Sequence, residues 1–85
     1  MSPASADGEY AALALEKMGA VLGPARAREL YTQLCERHRL TLKTADDLYR
    51  FGAALAQLGG FEGAVGALLT VRAVMNGASP HTVGA

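Results

Sequence analysis

The stretch from Phe61 to Met75, FEGAVGALLTVRAVM, constrains this chain more than any other. Its only charged side chains are Glu62 and Arg72, and its only neutral polar one is Thr70. A helix built from it is apolar nearly all round, and such a helix is either central or covered by another chain. It is too short for a membrane span, which needs about 20 apolar residues. Gly63 and Gly66 lie inside it, each costing about 1 kcal/mol relative to alanine in a helix. That cost is usually offset by the close approach of another backbone.

The rest of the chain must supply what covers this helix, and its periodicity predicts three more helices. The first runs over about 7–22, with an apolar face of Ala11, Ala14, Leu15, Met18, Val21 and Leu22. Ser5 or Asp7 is the expected cap, and Gly23-Pro24 ends the helix. The second covers about 25–38. There Ala27, Leu30, Tyr31, Leu34, Cys35 and His38 form a stripe at three- and four-residue steps. Arg39 to Lys43 reads as an extended connector with Leu40 and Leu42 directed inward. The third helix covers about 44–58, with Thr44 as cap, Asp46 and Asp47 at the positive end of the dipole, and Asp47 in the capping-box position. Its stripe is Leu48, Phe51, Leu55 and Leu58. Gly59-Gly60 is a tight stop, and the fourth helix covers about 61–76 with Gly77 as C-cap.

The fold class that follows is all-α: a small four-helix domain of two antiparallel helical hairpins, spanning 7–77. Residues 1–6 read as a disordered leader and 78–85 as a flexible tail. With 85 residues there is room for one domain of marginal stability. With no Trp and only five other aromatics, its core is built from aliphatic side chains.

The second hairpin, DLYRFGAALAQLGGFEGAVGALLTVRAV, resembles a single tetratricopeptide unit over residues 47–75. Gly52 stands where that motif's helices meet, Gly59 at its turn, Phe61 at the aromatic after the turn and Ala64 at its small packing position. The resemblance implies close antiparallel packing, with Phe61 filling the elbow and a minor prospect of peptide binding. Asn76 replaces the closing proline of the motif, and the first hairpin does not repeat the pattern at a period of about 34 residues. The connector and third helix, LTLKTADDL, also resemble the loop and last helix of histone folds, more weakly.

Composition and spacing narrow the function. Formal net charge is zero, which removes a long-range grip on nucleic acid or an anionic membrane. The one cysteine cannot form an internal disulfide, and with no signal-peptide pattern in the first residues a cytoplasmic setting is expected. Cys35 and His38 share a helix face, but two ligands do not close a zinc site. Asp46 and Asp47 are accounted for as helix-start residues, and no nucleophile, base and orienting group can be named together. No catalytic residue, metal or cofactor is assigned, and the chain is expected not to be an enzyme. The leading expectation is a protein–protein interaction or self-association module, a homodimer or a complex with another protein. Phe61, Val65, Leu68, Leu69, Val71 and Met75 are its candidate interface. The alternative is a small nucleic-acid-binding or regulatory domain using a basic edge at Arg37, Arg39, Lys43 and Arg50. Residues 24–50 carry six basic and four acidic side chains there.

Overall fold

A computed structural model describes residues 8–78. The described residues form four helices in chain order: α1 (Glu9–Leu22), α2 (Pro24–His38), α3 (Ala45–Ala56) and α4 (Gly60–Met75). The domain is all-α, as expected. The expected caps at Ser5 and Asp7, the leader and nearly all of the tail lie outside the described residues. Within them, α1 begins behind Gly8, which makes no side-chain cap.

Each boundary has a local cause. Gly23 at φ 90° turns the chain between α1 and α2, and Pro24 occupies the first helical position, where its missing N–H costs nothing. The capping box of α3 is complete. The Asp47 N–H donates to the Thr44 hydroxyl, and the Asp47 carboxylate accepts from the backbone N–H groups of Thr44 and Lys43. This helix stops at Ala56, two residues short of the expected end. Gln57 and Leu58 close it with tight turns, so Leu58 leaves the apolar stripe and is half-exposed. Gly59 and Gly60, both at positive φ, reverse the chain.

The last turn of α4 corrects the expected boundary of the tail. Asn76 is the cap residue, and Gly77 follows at φ 106°. The Gly77 N–H donates to the Val74 carbonyl and the Ala78 N–H to the Ala73 carbonyl, the paired bonds of a Schellman motif. Ala78 is thereby buried against the core rather than loose. The C-terminus of α2 shares the left-handed residue and the long back-bond without the glycine. Arg39 takes the left-handed conformation at φ 54°, and there the Arg39 and Leu40 N–H groups both reach the Cys35 carbonyl.

The two hairpins pack unequally, with α3 against α4 the most extensive contact and α1 against α2 the next. A Cβ at Gly52 would meet the Gly66 carbonyl oxygen at 2.9 Å and Thr70 at 3.0 Å. One at Gly66 would collide with the Ala56 backbone nitrogen and lie 2.6 Å from the Gly52 carbonyl oxygen. As α3 runs from Gly52 to Ala56, its partners run backwards from Thr70 through Gly66 to Gly63, so the pair is antiparallel. The glycines inside α4 are thus explained by backbone contact. The core lies on one side of this pair. Met18 of α1, Leu48, Phe51 and Leu55 of α3, and Leu69 of α4 are its largest fully buried side chains. Leu30 and Leu34 of α2 and Leu42 of the connector join it, and Tyr31 packs against Phe51 as a tilted pair with ring centroids 5.2 Å apart. Leu40 is only partly buried.

Gly66→Ala tests the close approach. The gain in helix propensity, about 1 kcal/mol, is opposed by overpacking that typically costs 1–3 kcal/mol and more when backbone is struck. The expected outcome is net destabilisation by urea denaturation, where an unconstrained helix site would be stabilised. Arg39→Gly should do the opposite. Relief of a left-handed non-glycine residue, worth roughly 1 kcal/mol after the glycine entropy is counted, should raise Tm by about 4–8 °C.

Candidate interaction surface

Helix α4 has an inner and an outer face of nearly the same polarity. Val65, Gly66, Leu69 and Ala73 are buried against α3 and α1. The outer face begins at Phe61 and continues through Ala64, Leu68, Val71 and Met75, in alternating steps of three and four residues. Phe61 and Met75 are 74% and 75% exposed, Leu68 is 46% exposed, and Val71 and Val74 are half-exposed. Ala67 and Val74 flank this strip and are exposed too. Among the exposed residues from Phe61 to Met75, only Arg72 is not apolar.

Of the six residues predicted as an interface, the structure brings Phe61, Leu68, Val71 and Met75 together on the outer strip. Val65 and Leu69 point the other way and are core, at 3% and 0% exposure. They flank the glycine face on the side that meets the rest of the core, where α1 also packs on α4. Ala64, Ala67 and Val74 belong to the surface and were not singled out. The three-and-four stepping from Phe61 is the signal that would have found Ala64; Ala67 and Val74 lie beside that line. The tetratricopeptide-like placement also changes. Phe61 stands out in solvent instead of filling an elbow, Ala64 is exposed, and Gly66 and Gly63 hold the small packing positions. Gly52 and Gly59 keep the places that the resemblance implied.

The polar groups of this hairpin do not interrupt the strip. The Thr70 hydroxyl donates to the Ala67 carbonyl of its own helix at 2.7 Å, and its methyl faces Gly52. The Asn76 amide donates to the Arg72 carbonyl. Glu62 sits 3.9 Å from Arg26 of α2, away from the exposed strip. The strip exposes on the order of 500 Å² of apolar area, at the upper end of the roughly 300–600 Å² that the largest patch of a typical monomer reaches.

The basic residues are arranged differently. Arg37, Arg39, Lys43 and Arg50 are all exposed around the α2–α3 connector. Asp46 and Asp47 stand among them in the first turn of α3, so the edge is of mixed charge. Arg50 and His38 come together at an open cleft of about 320 Å³ whose floor is Leu40, Ala53 and Ala54. Cys35 is half-buried, and burial pushes its thiol up from the ordinary range. Burial, and then the neighbouring Cys35, push the Tyr31 hydroxyl up to about 12. Both groups are therefore protonated at neutral pH. No three His, Cys, Asp or Glu side chains gather in metal-binding reach among the described residues. No helix among them is long and apolar enough to cross a membrane.

No family model, curated protein or solved structure matches this chain.

The two faces of α4 are separable by substitution. Leu69→Ala should cost about 2–5 kcal/mol by opening a cavity in the core. Leu68→Ala, one residue away, should stay within about 1 kcal/mol. Urea denaturation of both variants at low protein concentration measures the difference, and equal losses would mean that the outer strip is not free.

Proposed function

We propose that this protein is a non-enzymatic interaction module that acts by presenting the outer face of α4 to another protein surface. The observation that carries this reading is the unbroken apolar strip from Phe61 to Met75 on a helix whose opposite face is already satisfied. Folding alone does not require it, because a peripheral helix normally turns charged residues outward. Covering about 500 Å² of apolar surface at about 25 cal/mol per Å² is worth on the order of 10 kcal/mol. That is comparable with the roughly 4–15 kcal/mol lost in association.

The polar chemistry supports a role without catalysis. Asp47 is engaged in the capping box, the Cys35 thiol is held protonated, and the carboxylates of Glu62 and Glu29 lie beside Arg26. A single half-buried thiol also suits a reducing, cytoplasmic setting.

Site-specific photocrosslinking in the cells that make the protein tests the reading. A photoreactive residue at Leu68 should give discrete protein adducts, and the same residue at Gln33 on the exposed side of α2 should give none. Adducts at neither position, or equally at both, would sink it.

A further inference from the structure

The geometry points to a second copy of this chain as the occupant of the strip, its α4 lying antiparallel to the first. This inference rests on α4 being the contact face and names the partner. The spacing of Phe61, Ala64, Leu68, Val71 and Met75 is that of a heptad seam, the pattern by which two helices pair at a shallow angle. A helix of 16 residues offers about 24 Å of such a seam.

Residue sizes along the seam choose the direction. In an antiparallel pair centred between Leu69 and Thr70, Met75 lies opposite the second copy's Ala64 and Leu68 opposite its Val71. Phe61 reaches over the end of the second helix, where Gly77 has no side chain to obstruct it. Met75 thus faces the small Ala64, and Leu68 and Val71 meet at the centre, an arrangement that helps fill the space between helices. A parallel pair in register would set Ala64 on Ala64 and leave a gap, while stacking Phe61 on Phe61. It would also bring like ends of the two helix dipoles together, which the antiparallel pair avoids.

Charge and area favour an identical partner. The five seam residues carry no charged side chain and only Arg72 flanks them, so the centre of the strip suits an apolar surface and offers nothing to a charge placed on it. A second apolar strip loses nothing. The chain has zero formal net charge, so two copies approach without long-range repulsion. The two strips together expose on the order of 1,000 Å², so near-complete coverage would reach the roughly 1,000 Å² at which specific interfaces begin.

Sedimentation equilibrium of the full chain across the micromolar range should give a mass rising from one chain to two. Leu68→Asp and Val71→Asp should remain at one chain while keeping helical circular dichroism and a cooperative thermal transition. Direction is read in a Cys35→Ser background. Ala64→Cys mixed with Met75→Cys should form a disulfide-linked heterodimer, and neither variant alone should link efficiently. A one-chain mass at every concentration overturns the second copy. Linkage of 64 to 64 and 75 to 75 in place of 64 to 75 overturns the antiparallel arrangement. If the mass stays at one chain while the photoprobe at Leu68 still captures a different protein, the contact face stands and only its occupant is wrong. If both fail, the contact face falls as well.

Discussion

The contact of Gly66 with Gly52 and Ala56 is the constraint on which the rest depends. Two helix backbones come together there with no side chain between them, closer than any Cβ would permit. Once that contact forms, the rotation of α4 about its axis is set. Residues one turn on either side of Gly66, such as Gly63 and Thr70, must also lie against α3. Val65, Leu69 and Ala73 are then carried toward the core beside Met18 and Phe51. Helix α1 packs on α4 as well, so the arc from Phe61 to Met75 is what remains uncovered. The exposed strip follows from both contacts, the glycine face on α3 and the side of Val65 and Leu69 toward the shared core.

The same reasoning shows why some of this was legible in the chain and some was not. Helices α2 and α3 carry one apolar stripe each, so their buried faces follow from periodicity. Ala27, Leu30 and Leu34, and Leu48, Phe51 and Leu55, are buried as their spacing predicts. The Thr44–Asp47 capping box was equally readable, because it needs only local residues. Helix α4 was different. Its apolar residues surround it, so a moment-based reading has no direction to report and cannot separate Val65 and Leu69 from Leu68 and Val71. The glycines mark the side that meets the α3 backbone. Which flank of that side is buried depends on where α1 packs, and that is not written in the α4 segment.

Four smaller departures fall at helix ends and turns, which periodicity alone does not decide. Leu58 continues the spacing of α3 but falls beyond Ala56, where the chain tightens into turns. Ala78 looks like tail composition but is drawn in by its bond to the Ala73 carbonyl. Arg39 occupies a left-handed position that the sequence would assign to glycine or asparagine, because Leu40 and Leu42 beyond it must return toward the core. His38 completes the numerical stripe of α2 yet is exposed, since the helix ends there at an open cleft shared with Arg50 of α3.

The division of labour between the two faces of α4 also ties stability to association. A domain of this size buries only about 60% of its unfolded surface, so its free energy of folding is small and the core residues of α4 leave little margin. A partner on the outer strip binds only the folded chain, because the seam exists only when α4 is helical and docked on α3. By mass action such a partner adds RT ln(1 + [L]/Kd) to the stability, about 2.7 kcal/mol at a hundredfold excess over Kd. Substitutions at Leu68 and Leu69 would then be distinguished by protein concentration. The loss at Leu69 is intrinsic to the monomer and persists on dilution, whereas any loss at Leu68 vanishes as the partner is diluted away. The glycine contact thus holds α3 and α4 together from within, while the same helix keeps an apolar face outside.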